Sequence, residues 1–187
     1  MPALRRVAII SITAICVGFS SQNWATCLDS GVQVQILGSG GPGPSAGRAS
    51  AGYVIWINGI GRIMVDAGSG TKDQFHKAGA SLEDIELLAI SHFHPDHSAE
   101  LPAILWPAGS QARLSGPEGN DGFPSVSHFL ERLFAEDGAF PILAERAQFD
   151  VLAVNTSSRD ITEVLNVDNI LVRGIGVPHA NVPTIGY

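Results

Sequence analysis

Cysteine is almost absent. The 187 residues hold two, Cys16 and Cys27, neither beside other metal-ligand residues, which excludes a disulfide framework and a thiolate-closed structural zinc site. Positive charge is scarce too: 11 Lys and Arg stand against 18 Asp and Glu, the net charge is −7, and the basic residues are scattered. A surface of that sign repels phosphate backbones, so nucleic acid is not expected as a partner. Long apolar runs are also missing. Val7 to Phe19 carries no charge, yet it falls short of the roughly 20 residues that span a bilayer. Arg5 and Arg6 precede this run and Ser20-Ser21-Gln22-Asn23-Trp24-Ala25 follows it, so residues 1–25 read as a secretory signal peptide, with an uncleaved anchor as the alternative. A secreted or periplasmic protein with no stable membrane span is the expectation. Repeats, low-complexity tracts and an interdomain linker are absent as well. With 45% hydrophobic and 16% charged residues, one globular domain over residues 28–187 is expected.

Val32 to Leu37 alternates apolar and polar residues and reads as a half-buried strand. The following Gly38-Ser39-Gly40-Gly41-Pro42-Gly43 formally meets the G-x-G-x-x-G pattern. Pro42 and Pro44 open no helix, so a wide loop is preferred to a dinucleotide site. Tyr53 to Asn58 and Arg62 to Ala67 are β-branched runs joined through Asn58-Gly59, a hairpin signal. Thr71 to Ala78 predicts a short helix stopped by Gly79, and Ser81 a capped turn. Residues 116–122 read as a loop. Val126, Phe129, Leu130, Leu133 and Phe134 put an apolar stripe on a helix over 125–135. His76 and His128 lie on these two helices and read as solvated or rim residues. Strands are expected over 149–154, 161–167 and 170–177.

The chemistry concentrates in Ser91-His92-Phe93-His94-Pro95-Asp96-His97-Ser98, which follows the short apolar run Glu86 to Ile90. A buried strand ending where the histidines begin is expected, and then a helix through Ala99 to Leu105. In extended chain, residues two apart point the same way, so His92 and His94 can share one ion while Phe93 points inward. Pro95 bars helix at His94, and Asp96 and His97 turn toward a second position. Imidazole and carboxylate without thiolate suit zinc, or else manganese or iron, in an open site. A chance gathering of histidines in a polar loop is the alternative. His179, after a strand and next to Pro178, can be a turn residue; with the upstream motif it becomes the third ligand beside His92 and His94.

The histidine motif resembles the signature of the metallo-β-lactamase superfamily. Leu37-Gly38-Ser39-Gly40-Gly41-Pro42 with Arg48-Ala49-Ser50, then Ile63-Met64-Val65-Asp66-Ala67-Gly68, then the motif running into Leu101-Pro102, resembles the order in its ribonuclease Z and arylsulfatase-like branch. Val177 to Tyr187 is similar to that branch's next motif, so the resemblance covers residues 32–187. It implies an α/β fold, a four-layer αββα sandwich represented mainly by its N-terminal half. It implies zinc, two ions in a complete site, with His92, His94 and His179 on the first and Asp96 and His97 on the second. Asp66 is implied as a hydrogen-bonding support of the histidine loop, and Asp96 is also a group that can steer or take a proton. The family's later bridging Asp and last His have no counterpart before Tyr187, so a domain incomplete at its C-terminus is expected. Such a chain exposes a strand edge and an apolar face, which a homo-oligomer or another partner would meet. The activity expected is a zinc-dependent hydrolase in which the metal lowers the pKa of water to about 7. Its expected substrate is a small-molecule ester: an aryl sulfate, a phosphate or a carboxylic ester. A ribonuclease Z-like phosphodiesterase is the alternative, and a non-catalytic zinc-binding protein or inactive fragment a further one.

Overall fold

Strands that are apolar on both faces need cover on both, and this chain has several. The computed structural model describes residues 30–106 and 109–187; the leader expected at 1–25, with Cys16 and the nearby Cys27, lies outside the described residues. No described helix is long and apolar enough to cross a membrane. Six strands form one sheet in sequence order: β1 (Val32–Gly38), β2 (Gly52–Ile57), β3 (Ile60–Val65), β4 (Leu87–Ala89), β5 (Arg113–Pro117) and β6 (Asp150–Val154). The first three are antiparallel neighbours, and β3 to β6 run parallel. A second sheet holds β7 (Thr162–Val167), β8 (Ile170–Gly176) and β9 (Ile185–Gly186).

Alternation along the strands divides the core in two. Val54, Trp56, Met64, Leu88 and Leu114 meet the helical side, where α1 (Thr71–Lys77), α2 (Pro95–Ser98), α3 (Leu101–Leu105) and α4 (Val126–Phe134) lie. Ile63, Val65, Leu87, Ala89 and Val154 face Val164, Leu165, Ile170 and Ile185 of the second sheet. The metallo-β-lactamase type of αββα architecture is thus present as helices, sheet and sheet, and no helical layer outside the second sheet occurs among the described residues. Val32, Val34 and Ile36 pair with Ile57, Ile55 and Tyr53 on the inter-sheet face, yet they are 71%, 60% and 60% exposed. The second sheet does not extend over them.

The hairpin turns at Asn58 and Gly59, both at positive φ (50° and 78°), as a two-residue connection between twisted strands requires. Two expectations need correction. The helix expected over 99–105 begins only at Leu101, as α3, and a separate turn, α2, precedes it at Pro95–Ser98; between them Glu100 N donates to Ala67 O, and Pro102 supplies no N–H for a continuous ladder. Strand β5 was not foreseen: Arg113-Leu114-Ser115-Gly116-Pro117 has one large apolar residue, and its strand state is imposed by β4 and β6 on either side.

Trp56 is 6% exposed, and its Nε1 has no hydrogen-bond partner among the described residues. An unsatisfied buried donor costs about 1–3 kcal/mol, which offsets much of what the larger ring contributes. Trp56→Phe is therefore expected to stay within about 1 kcal/mol of the wild type in urea unfolding, while Leu88→Ala loses about 2–5 kcal/mol. Equal losses would reveal a hidden partner for the indole.

Candidate metal centre

The centre forms at the carboxyl ends of parallel strands β3 and β4, where open α/β sheets present their crevices. Chain reversal after β3 begins at Asp66, which sits at φ 59°, a left-handed conformation that Asp tolerates better than most residues. The next residues are knitted to the histidine loop through the backbone: Ala67 N donates to His97 O at 2.7 Å, Ala51 N to Asp96 O at 3.1 Å, and Glu100 N to Ala67 O at 2.8 Å. A Cβ at Gly68 would collide with the carbonyl oxygen of Asp96, which explains the Asp66-Ala67-Gly68 sequence.

Asp66 is 4% exposed, and its carboxylate is saturated by the loop above it. Oδ1 accepts from Ser91 N at 2.7 Å, and Oδ2 accepts from Ser91 Oγ at 2.9 Å and from His97 Nδ1 at 2.7 Å. With its proton on Asp66, Ser91 Oγ accepts from His92 Nδ1 at 3.0 Å. This chain of donors fixes both tautomers and leaves Nε2 of His92 and of His97 as free lone pairs.

His92 Nε2 lies 3.1 Å from His94 Nδ1, and the ligand nitrogens of His92, His94 and His179 all fall within 4.8 Å of one another. Ligands of a tetrahedral zinc with Zn–N bonds of 2.0–2.1 Å lie about 3.3 Å apart, so the three imidazoles fit one ion. His92 is buried, His94 half-buried and His179 exposed at the cleft mouth. Beside them Asp96 Oδ2 is 3.6 Å from His97 Nε2, an O,N pair with no third ligand grouped to it among the described residues. The cleft has a volume of about 650 Å³ and is rimmed by Pro42, Pro178 and Thr184. Pro42 brings the glycine-rich loop to the rim. Phe93 stacks on Phe129 with ring centroids 4.3 Å apart, while His76 packs edge-on to Phe75 and His128 accepts from Arg132. Neither of those two histidines lines the cleft.

Sequence reasoning gave no role to Ser91, Ser115 or Tyr187. Ile185 N donates to Ser91 O at 3.0 Å, and Tyr187 Oη donates to Ile90 O at 3.3 Å and shares a hydrogen bond with the Ser115 hydroxyl at 3.0 Å. These bonds hook the second sheet onto the strand end that carries His92. Burial raises the Tyr187 pKa, keeping it a donor. Ser91 stood inside the motif, but only its position under the histidines reveals what it does.

Burial, followed by repulsion from His97 and His94, pushes the His92 pKa down to about 4, and a neutral imidazole is the form that binds metal. The Asp66 hydrogen bond raises the His97 pKa against an opposing effect of burial.

A model of the Metallo-beta-lactamase superfamily matches residues 46–165, and the chain belongs to that superfamily. Ribonuclease Z of Methanosarcina mazei is 26% identical over 162 residues, covering 83% of this chain and 47% of that protein. Ribonuclease Z of Thermobifida fusca is 40% identical over 70 residues, 37% of this chain and 22% of that one. The solved structure of human tRNase Z, short form, is similar with a TM-score of 0.63 at 19% identity, over 81% of this chain and 62% of that chain. The chain spans about half the length of the curated relatives it matches. These relatives are ribonucleases Z, so the arylsulfatase side of the resemblance falls away. They also overturn the expectation of a small-molecule ester and no nucleic acid: it rested on net charge, a sum over the whole surface that does not report the field inside one groove.

Asn tolerates the backbone of residue 66 but puts an N–H where a carboxylate oxygen accepts, so Asp66→Asn keeps the fold and misorients Ser91 and His97. Zinc affinity, measured by competition with a chromogenic chelator, is expected to fall about 10–100-fold; an unchanged affinity would remove Asp66 from the centre.

In chelator-treated protein the two shifted histidines also set a pH profile. Folded His92 stays neutral down to about 4 while the unfolded residue protonates near 6.5, so stability falls as pH drops through that window. His97 titrates above its unfolded value when folded, so its contribution is present below pH 6.5 and is lost as pH rises through the raised value. Urea midpoints are expected to peak near neutrality, and His92→Gln to flatten the acid side. An acid limb unchanged in that variant would assign it to carboxylates.

Proposed function

We propose that the protein is a metal-dependent phosphodiesterase of ribonuclease Z type that cleaves RNA, with a zinc ion on His92, His94 and His179 and a second ion drawing on Asp96 and His97. The observation that carries this reading is the convergence of three imidazole nitrogens within 4.8 Å at a cleft that also holds the Asp96–His97 pair, in a chain similar to ribonucleases Z. Bound there, zinc supplies Lewis acidity toward a phosphoryl oxygen and lowers the pKa of water to about 7. Asp66 and Ser91 hold the ring of His92 with Nε2 forward and that of His97 likewise. Asp96, with 11% of its side chain exposed, orients the attacking water and accepts its proton. The water oxygen bonds to phosphorus, the bond from phosphorus to the leaving oxygen breaks, that oxygen takes a proton from solvent, and Asp96 returns its proton to solvent.

A zinc-binding protein without turnover is the second reading, favoured by the two-member Asp96–His97 pair. Export through a leader at residues 1–25, to the periplasm or beyond, is part of the proposal. A mature protein that still begins at the encoded N-terminus would reject it.

The test uses the full-length protein with zinc, an RNA carrying a single-stranded 3′ extension, and bis(p-nitrophenyl) phosphate. Cleavage of both is expected, abolished by chelator and reduced more than about a hundredfold by His94→Ala. Zinc binding without cleavage of either compound would establish the second reading. Cleavage indifferent to chelator would reject both.

A further inference from the structure

A second groove, about 300 Å³, adjoins the metal cleft and shares Pro178 and His179 with it. One wall is the turn after β6. Asn155 Oδ1 accepts from Ser157 N at 2.8 Å and from Ser157 Oγ at 2.7 Å. Ser158 Oγ donates to Asp160 Oδ2 at 3.0 Å and accepts from Asp160 N at 3.3 Å. The turn is thus held by its own side chains. It lies on the end of β8, where a Cβ at Gly176 would come within 2.7 Å of the carbonyl oxygens of Thr156 and Ser158. The opposite wall is fastened by Asn120 Nδ2, which donates to Asn181 O at 2.9 Å.

The lining is polar and of one sign. No Asp or Glu lines the groove, and Arg159 does. Arg159 is exposed and has no hydrogen bond or ion pair among the described residues, while the adjacent carboxylate of Asp160 is occupied by Ser158. In a chain with 18 acidic and 11 basic residues, this groove has an unpaired guanidinium and no carboxylate in its lining, while the charge of Asp160 is turned onto Ser158. A groove of about 500 Å³ elsewhere is lined by Glu83, Glu86 and Glu145 together with Arg146.

We propose that this groove is a subsite for a backbone phosphate of the RNA next to the scissile one, held by the Arg159 guanidinium with the Thr156 hydroxyl as an added donor. The inference rests on the reading of the metal centre as an RNA phosphodiesterase. Guanidinium matches phosphate in a planar two-bond contact, and the shared rim at His179 lets one strand lie in both depressions.

The test compares Arg159→Ala and Arg159→Glu with wild type in the zinc-loaded full-length protein. The KM for RNA is expected to rise roughly tenfold in Arg159→Ala, the scale of one charge-assisted hydrogen bond, and further in Arg159→Glu. Turnover of bis(p-nitrophenyl) phosphate, which has a single phosphate and so offers the groove none, stays unchanged and certifies the fold and the centre. In Arg159→Ala the slope of log Kd for RNA against log salt falls by roughly 0.7, one single-strand phosphate contact. RNA cleavage with an unchanged KM and salt slope in Arg159→Glu would overturn the subsite and leave the phosphodiesterase reading standing. A wild type that turns over the small diester but neither binds nor cleaves RNA would overturn that reading, and the subsite with it.

Discussion

The Asp66 carboxylate is the constraint on which the rest depends. It stands where β3 ends, in a left-handed backbone conformation, and takes three donors from a loop about 25 to 31 residues away in the chain. Each donor has a consequence elsewhere. The Ser91 amide fixes where β4 stops, the Ser91 hydroxyl fixes the tautomer of His92, and the His97 Nδ1–H turns Nε2 toward Asp96. A buried carboxylate without these partners would be costly, so the loop and the acid stabilise each other. The strained conformation at residue 66 is held by the backbone bonds that join residue 67 to the loop and residue 68 to Ala51.

Much of this was legible before any coordinates. The spacing of His92, His94, Asp96 and His97 after an apolar run located the loop, and alternation in Val32–Leu37 and around Asn58-Gly59 placed the first hairpins. Those signals are local, carried by period and turn chemistry. Arg113–Pro117 was missed because its strand state comes from its neighbours in the sheet, and Leu114 alone cannot announce it. Tyr187 was missed for a related reason: its hydroxyl reaches Ile90 and Ser115, contacts 97 and 72 residues apart in sequence. The substrate expectation failed differently. Total charge was sound as a sum but was applied to a question about one groove, and a groove lined by Arg159 and by no carboxylate is a feature that the sum does not report.

The inter-sheet core explains why one edge of the molecule is apolar. Six strands face three, and Val32, Val34 and Ile36 form the end of the larger sheet that the smaller one does not reach. The alternation that exposes them is the same that buries Leu37 on the helical side, so the row follows from the pattern of β1 and is not a local irregularity. Contiguous exposed apolar rows are uncommon on monomers, and the row on β1 is one among the described residues.

The three imidazoles that could hold one ion come from both sheets. His92 and His94 hang from the end of β4 in the larger sheet, while His179 follows β8 in the smaller one and is exposed. Without an ion, the sheets meet at this end through the Ile185–Ser91 and Tyr187–Ile90 bonds and through the apolar core below. An ion bound by all three imidazoles closes a loop of more than eighty residues, and because unfolded chain holds no preformed site, its binding free energy adds to folding stability. The most exposed ligand is then also the one whose position depends most on that closure. It is on the shared rim of the metal cleft and the Arg159 groove, so under the proposed function an ion that held His179 would also fix the wall along which a strand would lie.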